Sequence, residues 1–219
     1  MSPKLAALFD VDGTLIDSNY LHVVAWWEAF RSQGHDIPMA DIHRLIGMGS
    51  EQLVETLIGT SDDDLVAAHT DYYAPRLRQL RPFADAGELL RRTSKAGYAV
   101  VLATSASAKE APHLRAALDA DDAIDHMSTS DDADAAKPQP DILQISLDAV
   151  GVKAEDAVFV GDTVWDIEAC KRAGIPCIAL LSGGITAREL TAAGATAVYA
   201  DPAELLLGFD ESLLGERAE

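Results

Sequence analysis

Four times along the chain, a glycine follows a run of residues with helical spacing and precedes a short apolar run. The four glycines are Gly97, Gly151, Gly174 and Gly194. Glycine often ends a helix because it adopts the left-handed conformation readily, and a short run that is apolar on both faces is typical of a buried parallel strand. The recurrence therefore predicts an α/β fold, in which helices alternate with the strands of one parallel sheet.

The alternation is interrupted once, directly after the first strand. Residues 17–81 carry apolar side chains at helical spacing and show no strand pattern. Either Asp17 or Ser18 can cap the first of these helices. We therefore expect a helical domain at 17–81, inserted into an α/β core that is formed by residues 1–16 and 82–219.

The core is expected to contain six strands and six helices. The predicted strands lie at 5–9, 98–104, 124–128, 157–160, 176–181 and 197–199. The predicted helices lie at 84–96, 108–118, 140–150, 164–173 and 187–193, with one last helix in the tail at 202–219.

The composition is that of a globular protein with a strongly acidic surface. Hydrophobic residues make up 48% of the chain and charged residues 24%, and 36 acidic against 17 basic residues give a net charge of −19. This charge argues against a nucleic-acid-binding surface, which needs clustered lysine and arginine, and against binding to an anionic membrane. The acidic runs at 62–64 and 119–134 are interpreted as solvated helix starts and loops.

Several features favour a cytoplasmic protein. No apolar run reaches membrane-spanning length, and residues 1–4 lead directly into a strand, so no signal peptide is expected. Cys170 and Cys177 do not form a CxxC pattern, and we expect them to be buried thiols in a reducing compartment. The histidines form no HxH or HExxH arrangement, which gives a zinc site little support.

Polar side chains follow the first, second and fourth predicted strands, and a lysine lies ahead of the fourth. Ligands of open parallel sheets bind at the carboxyl ends of the strands. Crowded carboxylates suit a hard divalent cation such as Mg²⁺, and a lysine with backbone amides suits a phosphate group. The residues that would form such a site are Asp10, Asp12, Thr104, Ser105, Lys137, Asp162 and Asp166.

Four segments that contain these residues resemble the motifs of the haloacid dehalogenase-like hydrolases. The segments are DVDGTL at 10–15, TS at 104–105, KPQPD at 137–141 and GDTVWD at 161–166. They come in the order of the family, which is a much more specific signal than any single motif. The resemblance implies a Rossmann-like core, and it identifies the helical insertion as a C1 cap that closes over the strand ends.

The resemblance also implies a mechanism, which is hydrolysis of a phosphate monoester through an aspartyl-phosphate. Asp10 would be the nucleophile, and Asp12 would serve as general acid and then as general base. Thr104 would hold the phosphoryl oxygens, and Lys137 would offset negative charge. The implied Mg²⁺ ligands are Asp10, Asp12 through its backbone carbonyl, Asp162 and Asp166.

A second group of residues is expected to contact the substrate, which would be a small phosphorylated metabolite. Gly13 and Ser105 lie at the strand ends. Arg44, Gly47 and Met48 belong to a glycine-broken loop between cap helices, and this loop resembles that of phosphoglycolate-phosphatase-like relatives. The loop could equally be a plain connection between two helices.

Other activities within the family remain open to different degrees. The related dehalogenases lack an aspartate at the position of Asp12, and phosphonate-cleaving relatives use a cap lysine, whereas residues 17–80 contain no lysine. A sugar-phosphate mutase similar to β-phosphoglucomutase stays open, because a histidine of that enzyme follows the first motif at about the place of His22. Ser50 stands where the same mutase carries a phosphate-gripping arginine. We include His22 among the candidate substrate contacts, although it could be an ordinary helix residue.

Two non-enzymatic alternatives use a similar fold. A phosphorelay receiver also combines an α/β sheet with an acidic cluster, a hydroxyl and a lysine, but it lacks a helical insertion. Its phosphorylated aspartate follows a strand in the middle of the sequence, whereas the candidate nucleophile Asp10 follows the first strand. A binding protein on an inactive enzyme fold is disfavoured because every motif residue is intact. A monomer or weak dimer is expected.

Overall fold

The structure is a computed structural model that describes residues 5–133 and 135–218. Its centre is a sheet of six parallel strands in the order β3-β2-β1-β4-β5-β6. The strands are β1 (Leu5–Phe9), β2 (Tyr98–Ala103), β3 (His126–Ser128), β4 (Ala157–Gly161), β5 (Cys177–Leu180) and β6 (Ala197–Tyr199). This sheet confirms the predicted α/β fold. The expectations for residues 1–4, Asp134 and Glu219 lie outside the described residues.

The first strand of the sequence lies in the middle of the sheet. Leu8 of β1 pairs with Val101 of β2 on one side and with Phe159 of β4 on the other, and all three side chains are fully buried. The winding direction reverses between β1 and β4, which is where open sheets bind ligands beyond their carboxyl ends. Receiver domains have the different order 2-1-3-4-5, so the observed order contradicts the receiver alternative.

Helices pack on both faces of the sheet because each face presents a continuous apolar surface. Every strand and helix predicted for the core before the tail is present, with boundaries displaced by at most three residues. The core helices are α5 (Ala86–Lys95), α6 (Ala111–Leu118), α7 (Asp141–Val150), α8 (Val164–Ala173), α9 (Ala187–Ala193), α10 (Pro202–Leu207) and α11 (Leu213–Ala218), and the inserted helices are α1 (Asn19–Ser32), α2 (Met39–His43), α3 (Ser50–Ile58) and α4 (Asp63–Tyr73).

The prediction of one last helix in the tail is wrong. The described tail contains two short helices, α10 and α11, because the chain turns after Gly208. The turn allows both Phe209 and Leu214 to pack into the core. Ser212 stabilises it, since its hydroxyl donates to the Phe209 carbonyl (2.7 Å) and accepts from the Leu214 amide (3.2 Å).

The inserted helices at 17–81, called the cap below, pack around an apolar cluster of their own. Trp26, Phe30 and Leu65 are among its buried members. The chain leaves and re-enters the sheet domain at one place, because the Asp17 amide donates to the Arg81 carbonyl (2.9 Å). The cap therefore continues directly from the end of β1, which places its first helix above the carboxyl edge of the sheet.

Two further features bear on the sequence-based expectations. Cys170 and Cys177 are both buried and free, as expected for core thiols. Within the described parts of the chain, we find no helix that combines the length and the apolar character needed to cross a membrane.

Candidate active site

Three buried carboxylates meet at the carboxyl edge of the sheet. Asp10 follows β1, Asp162 follows β4, and Asp166 lies in the first turn of α8. One oxygen from each of the three lies within 4.8 Å of the others. Lys137, in the loop before α7, reaches into the cluster, with its Nζ 2.5 Å from Asp10 Oδ1 and 2.8 Å from Asp166 Oδ1. Residues that are far apart in the sequence thus lie together at the carboxyl ends of the strands, as expected for the ligand site of an open parallel sheet (the strand-end rule).

The cluster holds three carboxyl groups against one lysine, and the carboxyl groups raise one another's pKa. Burial raises the pKa of Asp10 well above its usual value and that of Asp162 to about 7, and the Asp166 carboxylate adds to both shifts. Burial would lower the pKa of Lys137, but Asp10 and Asp166 raise it overall, so the lysine stays charged. Three carboxyl groups therefore face one ammonium in a buried site.

This donor set fits a hard divalent cation. The three carboxyl groups supply only oxygen atoms, which such cations prefer, and a cation would offset the repulsion between their ionised forms. Asn19 Oδ1 is a further buried oxygen beside Asp162, and it has no hydrogen-bond partner among the described residues. Asp166 also stabilises the start of α8, because its Oδ2 accepts from the Thr163 hydroxyl (2.6 Å) and amide (3.1 Å) in a capping box.

Asp162 is held in one orientation by side chains from two other segments. Thr14 donates to its Oδ1 (2.7 Å) and Asn19 donates to its Oδ2 (3.0 Å). Two glycines leave room for this arrangement, since an ideal Cβ would lie 2.4 Å from Asp162 Oδ2 at Gly13 and 1.7 Å from it at Gly183. The sequence analysis named Asp162 and Gly13 as candidate site residues. It did not name Thr14, Asn19 or Gly183 as such.

Asp12 is surrounded by hydrogen-bond donors. Ser18 Oγ lies 2.6 Å from Asp12 Oδ1, Thr104 Oγ1 lies 3.4 Å from Oδ2, and His22 Nε2 lies 3.4 Å from Oδ1. Burial would raise the pKa of Asp12, but His22 and Ser18 lower it below its usual value. Ser18 precedes α1 without capping it through its side chain, because its hydroxyl contacts Asp12 instead.

The loop between α2 and α3 approaches the sheet edge. Ser105 Oγ lies 3.5 Å from the Gly47 carbonyl oxygen, and an ideal Cβ at Gly47 would lie 2.8 Å from the Thr163 side chain. Gly47 also has a φ of 90°, a conformation that favours glycine. This part of the expected substrate loop therefore lies close to the predicted site.

Two other residues of the same loop are placed differently. Arg44 is exposed, and its positive charge helps to lower the pKa of Glu189 on α9. Within the described chain, the Arg44 side chain makes no hydrogen bond or ion pair, so the structure does not bring it to the carboxylates. Met48 is half-buried beside Gly47 and contributes no polar group.

The site contains residues that sequence reasoning missed. Asn19 lies one turn of α1 before His22, and Gly183 lies in the turn after β5, where the strand-end rule could have pointed to it. His69 and Tyr73, at the end of α4, had no signal in the sequence. The structure places His69 Nε2 3.3 Å from His22 Nδ1 and stacks the Tyr73 ring on His22 at 3.8 Å.

Comparisons with known proteins agree with the geometry. A family model described as "Haloacid dehalogenase-like hydrolase" matches residues 7–180. The chain is 30% identical over 179 residues to validoxylamine A 7'-phosphate phosphatase from Streptomyces hygroscopicus subsp. limoneus, which covers 80% of this chain and 84% of that protein. It is 29% identical over 229 residues to phosphoglycolate phosphatase from Rhodospirillum rubrum, which covers 95% and 92%.

A comparison with a solved structure supports the same family. A hydrolase from Pseudomonas syringae superposes with a TM-score of 0.89 at 34% sequence identity, covering 94% of this chain and 98% of that one. The family model spans both the first motif at 10–15 and the last at 161–166, so the resemblance seen in the motifs is confirmed. The chain belongs to the haloacid dehalogenase-like hydrolases.

Proposed function

We propose that the protein is a Mg²⁺-dependent phosphatase that hydrolyses phosphate monoesters of small molecules through an aspartyl-phosphate on Asp10. The observation that carries the proposal is the position of Asp10 at the end of the central strand. One of its oxygens contacts the Lys137 ammonium at 2.5 Å, and Asp12 lies two residues further along. A nucleophile, a charge-neutralising lysine and a second carboxylate are thus available at one strand end.

In the first half of the reaction, Asp10 attacks phosphorus and the bond from phosphorus to the ester oxygen breaks. Asp12 donates a proton to that oxygen, which leaves as an alcohol. Thr104 and the backbone amide of Ser105 hold the phosphoryl oxygens. Lys137 offsets the negative charge that develops on the phosphoryl group and on Asp10.

In the second half, water attacks the phosphorus of the aspartyl-phosphate. Asp12, now a carboxylate, takes a proton from the water, the bond between Asp10 and phosphorus breaks, and phosphate is released. The hydrogen bonds from Ser18 and His22 favour the carboxylate form of Asp12, which suits it to this step as a base.

The residues that would hold Mg²⁺ are Asp10, Asp162 and Asp166, with the backbone carbonyl of Asp12. When bound, the cation supplies positive charge next to the phosphoryl oxygens and the nucleophile. The choice of Mg²⁺ rests on the all-oxygen donor set and on the chemistry of phosphoryl transfer. Asp166 Oδ2 accepts in the capping box, whereas its Oδ1 lies 2.8 Å from Lys137 Nζ but has no hydrogen-bond partner among the described residues, so Oδ1 is the oxygen that would contribute, directly or through water.

We also propose that residues 17–81 act as a separate cap domain on a core of residues 1–16 and 82–219. Two features support this division. The cap has its own apolar cluster, and Ile16 bridges Pro82 where the chain leaves and rejoins the core. The buried free thiols of Cys170 and Cys177 support a cytoplasmic location, where the protein would act as a monomer or weak dimer.

The proposal is tested by phosphate release from p-nitrophenyl phosphate, phosphoglycolate, hexose phosphates and nucleoside monophosphates. Release should require Mg²⁺, stop on addition of a chelator, and fall to background in Asp10→Asn, which lacks the nucleophile. The matched control is Asp71→Asn, an exposed position on α4 that should keep wild-type activity. Full activity in Asp10→Asn, or in the presence of chelator, would contradict the mechanism.

One contact favours the sugar-phosphate mutase as a second candidate. His22 reaches Asp12 at 3.4 Å, as the resemblance to β-phosphoglucomutase suggested at that position. A mutase must retain a second phosphate group, which needs cations on the cap side of the site. Conversion of β-glucose 1-phosphate into glucose 6-phosphate, without net release of phosphate, would favour the mutase over the phosphatase.

A further inference from the structure

Two helices of the cap donate hydrogen bonds to one carbonyl of the core. The carbonyl belongs to Gly183, in the turn at 181–184 that follows β5 and is called the β5 turn below. His43 Nε2, at the end of α2, lies 2.9 Å from its oxygen, and Asn19 Nδ2, at the start of α1, lies 3.3 Å from it. Because a carbonyl oxygen only accepts, Nε2 of His43 carries the proton of this hydrogen bond.

The β5 turn packs directly against Asp162, a proposed ligand of the cation. An ideal Cβ at Gly183 would lie 1.7 Å from Asp162 Oδ2, so the turn and the carboxylate are in close contact. The turn is also tied to the segment after β1, because Ser182 Oγ donates to the Gly13 carbonyl (2.7 Å). A displacement of the β5 turn therefore disturbs the proposed site from two sides.

Asn19 connects the hydrogen bond of His43 to the orientation of Asp162. Its Nδ2 donates to Asp162 Oδ2 at 3.0 Å and to the Gly183 carbonyl at 3.3 Å. The shorter contact of that carbonyl is with His43, which leaves the Asn19 amide closer to the carboxylate. Without His43, only Asn19 remains of the two cap donors. The amide is then drawn toward the carbonyl and away from Asp162, since buried carbonyl groups keep a hydrogen-bond partner.

Two neighbours hold the His43 ring over the β5 turn. The Tyr20 ring of α1 stacks on it, with centroids 5.0 Å apart and planes inclined by 14°. An ideal Cβ at Gly184 would lie 3.0 Å from His43 Cε1 and 3.3 Å from Tyr20 Oη. The absence of a side chain at Gly184 thus lets both rings approach the turn, and the contact joins α1 and α2 to the core at one place.

We propose that His43 is a positioning residue for the metal site, whose hydrogen bond to the Gly183 carbonyl fastens the cap to the β5 turn and holds Asp162 in the orientation that binds Mg²⁺. The inference rests on the proposed phosphatase function and names a way in which the cap regulates that site. Among the described residues, His43 makes no hydrogen bond or ion pair with a carboxylate of the cluster, so its effect passes through Gly183 and Asn19. Full affinity for Mg²⁺ therefore requires that α2 rests on the core.

The experiment measures Mg²⁺ binding to the full chain by isothermal titration calorimetry, without a substrate. In His43→Leu, the dissociation constant for Mg²⁺ should rise by about two- to tenfold, as expected for loss of one neutral hydrogen bond. His43→Phe keeps the stacking on Tyr20 but lacks the donor, so it should lose as much affinity. His43→Gln keeps a side-chain N–H donor and should restore most of it.

Thermal unfolding separates this role from a structural one. His43 is half-buried and does not belong to the apolar cluster of the cap, so the Tm of the chelated His43→Leu protein should stay close to that of the wild type. The rise in Tm on addition of Mg²⁺ should be smaller than in the wild type. His35→Leu is the matched control, because it makes the same change at another half-buried cap histidine, which packs edge-on against Phe30, and it should bind Mg²⁺ as the wild type does.

Each failure has a distinct meaning. If the folded His43→Leu or His43→Phe protein binds Mg²⁺ no more weakly than His35→Leu, or if His43→Gln binds as weakly as His43→Phe, the inference is overturned while the phosphatase function stands. If the wild-type protein binds no Mg²⁺, the proposed function fails and the inference fails with it. Three substitutions at one half-buried position keep the test decisive even if one of them does not fold.

Discussion

Replacement of Gly183 by alanine should disable the site without touching any group that we propose to react. An ideal Cβ at this position would lie 1.7 Å from Asp162 Oδ2, whereas real Cβ atoms essentially never come closer than 3.0 Å to a non-bonded heavy atom of another residue. Either the carboxylate or the turn after β5 must therefore move by about 1.3 Å. Both movements disturb the same network, because Asn19 donates to the Gly183 carbonyl as well as to Asp162.

The size of the effect follows from these contacts. Misplacement of a catalytic group by about 1 Å costs on the order of 100-fold in rate. If Asp162 moves, it also loses hydrogen bonds from Thr14 (2.7 Å) and Asn19 (3.0 Å), each worth about 1.5–3 kcal/mol when the acceptor is charged. We therefore expect kcat/KM to fall by about 100-fold or more, together with weaker activation by Mg²⁺.

The assay compares kcat/KM for p-nitrophenyl phosphate over a range of Mg²⁺ concentrations, with thermal unfolding measured on the same samples. Gly208→Ala is the matched control, because an ideal Cβ there has no neighbour closer than 3.7 Å. It should retain wild-type activity. A folded Gly183→Ala protein with kcat/KM within about threefold of wild type, less than 1 kcal/mol in barrier, would refute the reasoning.

Three further predictions concern charge, pH and the cap. Lys137→Met removes the cation between Asp10 and Asp166, and kcat should fall by about 100- to 1,000-fold; a kcat within tenfold of wild type would contradict its role. The pKa of Asp162 is raised to about 7 in the folded protein, so the folded state binds a proton that the unfolded state has lost. The chelated protein should therefore lose stability as pH rises from about 4 to about 7, and Mg²⁺ should raise Tm more at pH 8 than at pH 5; the opposite slope in thermal unfolding would exclude this. Leu65→Ala, at a fully buried cap position, should lower the free energy of unfolding by about 2–5 kcal/mol in urea titrations, and a loss below about 0.5 kcal/mol would contradict its burial.

The sequence predicted the fold well because the signals are local. Helix spacing, the glycine that ends each helix and the short apolar strands are all properties of ten or so neighbouring residues. The prediction for the tail was wrong for the same reason, since it used only local signals. Its helical spacing is continuous, but the burial of Phe209 and Leu214 in one cluster requires a turn that only the packing reveals.

Part of the site could be predicted by the same logic, because parallel strands place their carboxyl ends along one edge. That rule joins Asp10 to Asp162 without any knowledge of their distance. It says nothing about contacts that depend on how the cap is oriented. Tyr73 and His69 reach the site only because α4 packs beside α1, and a buried histidine on an apolar helix face is not distinguishable in sequence from a packing residue.

One helix of the cap contacts two of the four acidic residues of the site, Asp12 and Asp162. Asn19 and His22 are three residues apart on α1, so they project from the same face. Asn19 donates to Asp162, a proposed metal ligand, and His22 contacts Asp12, the proposed acid and base. A rotation of α1 away from the sheet edge would remove both partners at once, which raises the pKa of Asp12 and frees the carboxylate of Asp162. The arrangement would thus couple the position of the cap to the proposed proton transfer and metal coordination, because the same turn of helix contacts both residues.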